Sequence, residues 1–425
     1  MDDDIEDRSV GSPGGDPGGD PGGDPVYLDH AASTPMFAEA VRVMTALMQR
    51  PGNASALHAS GRAARRVVEE SRETIALALG CRPGEVVFTS GGTESDNLAL
   101  KGMFWARRDA DPRRTRILSS QVEHHAVLDP LDWLAEHEGA EVELLPVDRL
   151  GRVDLTALRA AVERDPASVA LVSVMWANNE VGTVQPVADV VALAHEHDIP
   201  VHTDAVQAVG QVPVNFVTSG VDAMTVTAHK LGGPQGVGAL VVRRELEVVP
   251  QLHGGGQERD IRSGTLDTPA VAGFAAAVEV AVREQPARAA RLVALRDRLV
   301  EGVRERLPDA SLNGDPDPGP SHRLPGNAHL TFPGCEGDSL LMLLDARGVA
   351  CSTGSACSAG VPQPSHVLLA MGRDDEQARS SLRFSLGHTT TERDVAVLVD
   401  AIAPVVERAR AAGAASGFAA PVKVG

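Results

Sequence analysis

Lys230 is the residue of this sequence best suited to covalent chemistry. It follows the apolar, β-branched run 224–227 and precedes the glycine-rich segment 231–238. Burial at a strand end favours the neutral amine, which then attacks an aldehyde to form a Schiff base. Asp204 follows the strand-like run 201–203, and its carboxylate is suited to binding a pyridinium nitrogen. Together the two side chains predict a pyridoxal phosphate site built by two separate strand ends.

A phosphate site is predicted where the segment 89–97 follows a strand and opens a helix. Gly91 and Gly92 permit close approach of the backbone, and free amides at a helix N-terminus attract an anion. By itself this segment is equally explained as a plain turn capped by Thr93, and Lys230 and Asp204 favour the phosphate interpretation. The segment 232–238 lacks the strand, glycine turn and helix order of a nucleotide-binding loop.

Three further polar side chains are candidates for the site. Two of them follow predicted strands, where ligands of open α/β sheets bind, and the third lies within a strand. His124 is placed to stack on a flat cofactor ring or to transfer protons, with His125 as the competing candidate. Asn179 is placed to contact cofactor or substrate, although an asparagine that only forms a turn is the alternative. Arg383, in the alternating strand 381–385, is suited to a bidentate grip on a carboxylate, with a surface ion pair as the alternative.

Cysteine usage indicates a reducing compartment with one working thiol. The four cysteines are scattered without CxxC spacing. Cys357 lies among small and polar residues, which predicts an accessible nucleophile, whereas Cys351 follows Gly348-Val349-Ala350 and is expected to pack as a small hydrophobe. The alternative is that both thiols are unreactive.

Composition indicates an ordinary globular protein rather than a nucleic-acid or membrane-surface protein. Hydrophobic residues make up 43% of the 425 residues, and the net charge of −19 opposes binding to polyanions. No apolar run is long enough to span a membrane, and the acidic start lacks the basic region of a secretory signal. We therefore expect a cytoplasmic location. Residues 1–25 carry eight acids, one base and three Pro-Gly-Gly-Asp copies, which predicts a disordered tail.

The elements that must position these residues alternate along the chain. Helices are predicted at 38–48, 62–79 and 155–164, the last capped by Asp154, and strands at 85–89, 116–120, 141–147, 169–174, 200–203, 224–227 and 238–242. This alternation predicts an α/β fold whose large domain, residues 46–267, has a mainly parallel seven-stranded sheet. A smaller α+β domain is expected from residues 26–45 and 268–425, with strands at 329–332 and 381–385.

Taken together, these segments resemble the cysteine desulfurases, fold-type I pyridoxal phosphate enzymes of the class V aminotransferase group. The resemblance covers roughly residues 26–410 and rests on motifs that occur in the family's order. These are His229-Lys230, Asp204 with Gln207, the segment 92–97, Asn179-Glu180, the segment 253–259 and the segment 262–265. Ser355-Ala356-Cys357 resembles the catalytic loop of the longer-looped group that serves iron-sulfur assembly and tRNA thiolation. Thr227 and Ala228 depart from the family's usual Ser and Gly.

The resemblance implies a role for each site residue. Lys230 binds the cofactor covalently, Asp204 holds the ring nitrogen, Gln207 the ring hydroxyl, and His124 stacks on the ring. Cofactor contacts are implied for Gly92, Thr93, Asn179, Thr227, Ala228, His229 and, from the second subunit of a homodimer, Thr265. Asn179 and Arg383 bind the substrate carboxylate.

The implied reaction converts L-cysteine to L-alanine. Lys230 moves the α-proton, and Cys357 receives the sulfur as a persulfide for an acceptor protein. Cys357 is further implied as a transient metal ligand to an iron-sulfur cluster. The alternatives are a related lyase acting on selenocysteine, an aminotransferase that needs no thiol, and a cofactor-binding scaffold without turnover.

Overall fold

A seven-stranded sheet forms the centre of the fold. The computed structural model describes residues 25–354 and 364–416, and all statements on structure concern those residues. In chain order the strands are β1 Val26–Tyr27, β2 Val86–Thr89, β3 Arg116–Ser120, β4 Glu141–Leu145, β5 Val169–Ser173, β6 Val201–Asp204, β7 Ala223–Thr227, β8 Gly238–Val242, β9 Ser311–Leu312, β10 Asn327–Thr331, β11 Val349–Ala350 and β12 Ser381–Ser385.

The order of the central sheet is β2-β8-β7-β6-β5-β3-β4. β8 runs antiparallel to both of its neighbours, and the remaining pairs are parallel. Every residue of β2, β3, β5, β6, β7 and β8 is buried, as expected for a sheet covered by helices on both faces. The predicted seven-stranded, mainly parallel α/β sheet is confirmed.

Helices cover the sheet and its flanks. They are α1 Ala38–Met48, α2 Ala59–Leu79, α3 Gly92–Ala110, α4 His125–Glu138, α5 Leu155–Arg164, α6 Val187–His195, α7 Phe216–Ser219, α8 Thr268–Arg306, α9 Gly337–Asp345, α10 His366–Ala370, α11 Asp375–Arg379 and α12 Glu392–Ser416. In the part of the chain that is described, no helix combines the length and hydropathy needed to cross a membrane.

Local sequence explains where several elements begin and end. The Asp154 carboxylate accepts hydrogen bonds from the Thr156 and Ala157 amides, so α5 begins where the sequence predicted. α2 begins three residues before its predicted start, because the His58 side chain accepts a hydrogen bond from the Gly61 amide and caps the helix. β4 ends two residues before its predicted end, because Pro146 has no amide proton to donate to the sheet.

A second core lies beside the sheet. β12, β10 and β9 form an antiparallel sheet, and β1 pairs in parallel with β11. Apolar side chains from these strands, including Leu330 and Phe384, pack with side chains of α9 and α12, including Leu398 of α12. This arrangement fits the α+β part expected from the sequence, whose domain bounds stay a prediction. The expected disordered tail, residues 1–25, lies outside the described residues apart from Pro25.

One long helix joins the two cores. α8 is 39 residues long and contains Pro286. Its first part, through Ala281, packs against the central sheet, and its last part, from Leu292, packs into the second core. The helix therefore fixes the position of the second core relative to the strand ends of the large sheet.

Candidate active site

A cavity of about 440 Å³ lies at the carboxyl ends of β2, β6 and β7. Side chains from both cores line it, which places residues distant in sequence around one space. Those predicted as site residues that line the cavity are Gly92, Thr93, His124, Asn179, Asp204, Gln207, Thr227, His229, Lys230 and Arg383. This location agrees with the rule that ligands of open α/β sheets bind outside the carboxyl ends of strands.

Lys230 is held at the cavity by the first segment of the fold. A short 3₁₀ turn, Ala228–Lys230, follows β7 and directs the lysine away from the strand. Its Nζ donates to the carbonyl oxygens of Ala31, at 2.5 Å, and Ala32, at 2.7 Å. Burial, and then the Arg383 guanidinium, lower the pKa of the Lys230 amine to about 8. A substantial fraction of neutral amine is therefore present near neutral pH, as a nucleophilic lysine requires.

Asp204 supplies a buried carboxylate to the same cavity. It ends β6, is 7% exposed, and one of its oxygens accepts a hydrogen bond from the Val206 amide at 2.8 Å. Burial raises the pKa of Asp204 to about 6, against the opposing effects of that amide and of Lys230. The carboxylate is ionised at neutral pH and is suited to a cationic ring nitrogen.

The N-terminus of α3 forms an anion cradle beside these two residues. Gly91 caps the helix with a φ of 151°, a conformation open to glycine, and has no side chain to satisfy the first amides. A methyl group on Gly238 would lie 2.8 Å from the Gly91 Cα atom, so glycine is needed in β8 for the two backbones to meet. The uncapped amides and the helix dipole favour a phosphate here.

The structure distinguishes the two candidate histidines. His124 lines the cavity, and its Nδ1 accepts a hydrogen bond from the Ala126 amide, so the neutral ring carries its proton on Nε2. Desolvation inside the cavity, and then the nearby Lys230 ammonium, lower the pKa of His124. His125 lies outside the cavity lining and hydrogen-bonds the exposed Asp129.

Arg383 and Asn179 lie together at the side of the cavity formed by the second core. The Arg383 guanidinium is 5% exposed and forms an ion pair with Asp29 at 2.7 Å, while its Nη1 donates to the Asn179 carbonyl oxygen at 3.0 Å. Its Nε is buried and has no hydrogen-bond partner within the described ranges. Arg383 is therefore a cavity residue with a free donor and not the surface ion pair that the sequence left open.

Of the four other predicted residues, two line the cavity and two do not. Gln207 lines the cavity, but its Nε2 donates to the Ala31 carbonyl oxygen at 3.0 Å. The His229 imidazole has its pKa lowered to about 4 by burial and then by Lys230. Ala228 lies behind the cavity wall, fully buried in the core. Thr265 is exposed and does not line the cavity of its own chain.

Of the two candidate cysteines, Cys351 lies within the described residues and Cys357 does not. Cys357, with Ser355 and Ala356, lies outside the described residues. Cys351 packs in the second core at 8% exposure, as the sequence predicted, and burial raises the pKa of its thiol to about 12. A thiol with that pKa is a poor nucleophile at neutral pH.

Several cavity residues escaped the sequence analysis. Ala31 and Ala32 contribute backbone carbonyls, which leave no signal in residue type. Asp96 and Met175 line the cavity but were not singled out, and Asp29 was not seen as the partner of Arg383. The polar pair Asp29-His30, which follows β1 after Leu28, is a sequence signal that could have drawn attention to the first segment.

Fold and site together define an enzyme of the fold-type I pyridoxal phosphate class, with a lysine and an aspartate at neighbouring strand ends. The chain belongs to the aminotransferase class-V family, whose model matches residues 26–398. An IscS-like cysteine desulfurase of Mycobacterium tuberculosis is 59% identical over 393 residues, covering 92% of this chain and 99% of the relative.

Solved structures agree with this assignment. A NifS-like protein superimposes with a TM-score of 0.82 at 35% identity, covering 90% of this chain and 100% of the other. SspA in complex with cysteine gives a TM-score of 0.73 at 34% identity, covering 85% and 98% of the two chains. Within the family, the chain is similar to cysteine desulfurases over 92% of its length in the Mycobacterium tuberculosis relative.

Pyridoxal 5'-phosphate is the cofactor of this family, and the side chains present fit it. The uncapped α3 amides match a phosphate, the buried Asp204 carboxylate matches a ring nitrogen, and Lys230 matches an aldehyde. The imidazole of His124 borders the same cavity and offers a flat surface to a ring. Each part of the cofactor thus has a complementary group.

Proposed function

We propose that this chain is a cysteine desulfurase that converts L-cysteine to L-alanine and captures the sulfur on Cys357. The observation that carries the proposal is the meeting of Lys230, its pKa lowered to about 8, with the buried Asp204 carboxylate in one cavity. The similarity to cysteine desulfurases supports the choice of substrate.

The cavity would hold pyridoxal phosphate through residues of four elements. Asp204 binds the ring nitrogen, Gln207 the ring hydroxyl, and His124 covers the ring. Phosphate contacts come from the α3 N-terminus and the end of β7, through Gly92, Thr93, Thr227 and His229. Asn179 completes the contact set, whereas Ala228 is buried behind the cavity wall. When bound, the cofactor supplies an electron sink for a carbanion next to the substrate amino group.

Lys230 serves as the base that takes the α-proton of the substrate. Its amine is released from the two carbonyl oxygens that hold it, and its lowered pKa keeps a neutral fraction available to accept a proton on Nζ. The neutral His124, with its proton on Nε2, offers a donor on the same side of the cavity.

Arg383 and Asn179 would bind the substrate carboxylate. The unpartnered Arg383 Nε is a buried donor within the cavity lining, and the Asp29 ion pair holds the guanidinium in place. A carboxylate satisfies that donor through a charge-assisted hydrogen bond.

Cys357 would act as the sulfur acceptor. Its thiolate attacks the substrate sulfur, an S–S bond forms, and the substrate Cβ–S bond breaks with its electron pair left on carbon. Protonation of that carbon gives alanine, and the enzyme keeps a persulfide. No external oxidant is needed, because one thiol of enzyme and one cysteine give one persulfide and one alanine.

The sulfur acceptor, the compartment and the second subunit belong to the same proposal. The persulfide passes to an iron-sulfur scaffold or a tRNA-thiolating enzyme in the cytoplasm, and Cys357 is a transient ligand of the cluster under assembly. Thr265, exposed and outside its own cavity, completes the phosphate site of the second subunit in a homodimer. Arg383 and Cys357 come from the small part of the fold, residues 26–45 and 268–425, whereas Asn179 and the cofactor-binding residues come from residues 46–267.

The test combines two cysteine variants with an alanine assay. Cys357→Ala is expected to bind pyridoxal phosphate, with its yellow absorbance, yet form no alanine from cysteine. Cys351→Ala, which removes the buried thiol, is the matched control and keeps turnover and the persulfide, located by mass spectrometry on Cys357. Turnover by Cys357→Ala at the wild-type rate would refute the assignment of the thiol, and a wild-type protein that does not take up the cofactor would refute the function.

A further inference from the structure

A row of buried polar side chains runs beneath α3 toward the cofactor cavity. Ser173 on β5, His202 on β6 and Thr225 on β7 are each 0% exposed. The His202 ring joins them, with Nδ1 at 2.9 Å from the Ser173 hydroxyl and Nε2 at 3.1 Å from the Thr225 hydroxyl. Polar groups in the middle of a sheet core cost stability unless all are satisfied, so a connected row points to a function at its end.

The row ends at Asp96, the fifth residue of α3. Asp96 is 1% exposed, lines the cavity that Asp204 also lines, and its Oδ1 lies 3.6 Å from His202 Nε2. Within residues 25–354 and 364–416, Oδ1 has no hydrogen-bond partner. A buried, unpartnered carboxyl oxygen at a ligand cavity is a group that a ligand completes.

Charges around Asp96 oppose its ionisation. Asp204 and Glu123 approach it from β6 and from the segment before α4, and Lys230 interacts with Asp204 rather than directly with Asp96. Burial, and then the Asp204 charge, raise the pKa of Asp96 well above its usual value, and burial does the same for Glu123. Burial lowers the pKa of His202 to about 3, so no imidazolium is present to compensate.

The direction of the hydrogen bonds agrees with a protonated Asp96. In the tautomer of the neutral His202 ring that carries its proton on Nε2, Nδ1 accepts a hydrogen bond from Ser173 and Nε2 donates to Thr225. The Thr225 hydroxyl is then free to donate to the Asp96 carboxyl. One carboxyl oxygen of Asp96 then accepts from Thr225. A protonated Asp96 would therefore carry its acidic hydrogen on Oδ1, the oxygen without a partner among the described residues.

We propose that Asp96 is a positioning residue that works as a neutral carboxylic acid, donating a hydrogen bond at the floor of the cavity and leaving the negative charge there to Asp204. The role rests on the cofactor site proposed above. An ionised Asp96 would compete with Asp204 for the positive charge of the cofactor ring. A neutral Asp96 does not compete, so the ring nitrogen stays aligned with Asp204 alone.

The first experiment uses the cofactor-free protein and is independent of activity. Infrared difference spectra at pH 7 between wild type and Asp96→Asn are expected to show loss of a carbonyl-stretch band of a protonated carboxyl. Glu123→Gln, the matched control, removes a different band of the same kind. If Asp96→Asn removes carboxylate bands instead, Asp96 is ionised and the proposal is overturned.

The second experiment measures the affinity of the cofactor-free protein for pyridoxal phosphate by absorbance titration. Asp96→Asn retains a donor and is expected to bind within about threefold of wild type, whereas Asp96→Leu, of similar size without a donor, binds at least about tenfold more weakly. Equal losses in both variants would overturn the donor role. A wild-type protein that binds no cofactor contradicts the proposed function, while the infrared result still decides the protonation of Asp96.

Discussion

At the scale of single residues, the site depends on ionisable groups whose charge states differ from those they have in water. Lys230 has a pKa of about 8 and Asp204 one of about 6, so the amine is partly neutral while the carboxylate is ionised at neutral pH. Both shifts originate first in burial. The free energy that desolvation costs the folded protein is thus the source of the reactivity of the lysine.

Lys230→Met is expected to stabilise the cofactor-free protein. A lysine whose pKa is lower in the folded than in the unfolded protein destabilises the fold. The penalty is complete at pH values below the folded pKa of about 8, and it declines as the pH rises from there toward 10.5. We expect a gain of about 2 kcal/mol at pH 7 that shrinks above pH 8, measured by denaturant unfolding. Lys101→Met is the control. Burial lowers the pKa of Lys101 as well, but its ammonium also lies over the Trp133 ring, so the free energy of unfolding should stay unchanged or fall by up to about 1 kcal/mol. A less stable Lys230→Met at pH 7 would contradict this account.

Sequence reasoning found the residues of the site better than their contacts. Lys230, Asp204 and His124 were predicted from residue type and position after a strand, since parallel strands bring their carboxyl ends to one edge. Sequence could not show that Lys230 Nζ is held by carbonyl oxygens of residues 31 and 32, or that Arg383 pairs with Asp29. Those contacts depend on the first segment folding back across the chain, which no local pattern records.

At the scale of elements, the start of β8 packs closely against the turn that precedes α3, beside the cavity. Gly238 pairs with Thr89 and Thr227 at the strand ends that border the phosphate cradle. Strand bounds such as 116–120 and 238–242 were predicted correctly because short apolar runs end in turn residues there. The antiparallel direction of β8 was not predicted, since the direction of a buried strand leaves no mark on its composition.

Gly238→Ala is expected to damage the phosphate cradle. Its added methyl group would lie 2.7 Å from the Val226 carbonyl oxygen and 2.8 Å from Gly91 Cα, so a strand must shift. We expect a loss of about 2 kcal/mol in the free energy of unfolding and about tenfold weaker binding of pyridoxal phosphate. Gly84→Ala, whose methyl group would meet nothing closer than 3.5 Å, is the control. Unchanged cofactor affinity in Gly238→Ala would argue against this cradle.

Asp154→Ala separates helix stability from cofactor binding. The substitution removes the two hydrogen bonds that cap α5, which lies away from the cavity. The free energy of unfolding should fall by about 1 kcal/mol, while the dissociation constant for the cofactor stays unchanged. Thermal and denaturant unfolding, followed by a cofactor titration, check both parts, and a weakened titration would show that α5 is coupled to the site.

At the scale of the whole molecule, the cavity unites two cores. Lys230 and Asp204 come from the central sheet, whereas Arg383 comes from the second core, and residues 29–32 enter from β1. Thr265 is left exposed on a segment tied to α3 by the Arg262–Glu94 ion pair at 2.7 Å. The family resemblance implies that Thr265 acts in a second subunit, and its exposure outside its own cavity is compatible with that role.

Mixing subunits of two defective variants tests whether Thr265 acts across a homodimer. Thr265→Ala is expected to weaken cofactor binding, and Lys230→Ala to abolish turnover. If Thr265 serves the partner's cavity, a mixed dimer of the two variants contains one complete site, and alanine formation recovers to about half that of wild type. If Thr265 serves its own cavity, neither site is complete and activity does not recover. Two different affinity tags, one on each variant and used in succession, isolate the mixed dimer for the assay.

The continuity of α8 limits how this protein can change length during evolution. Each residue added to a helix turns everything beyond it by about 100° and advances it by about 1.5 Å. An insertion or deletion between Ala281 and Leu292 would therefore rotate Leu292, Leu295 and Leu299 off their packing surface and carry Arg383 out of register with Lys230. Size variation among descendants of this chain should accumulate in loops and at the termini, and α8 should keep its residue count.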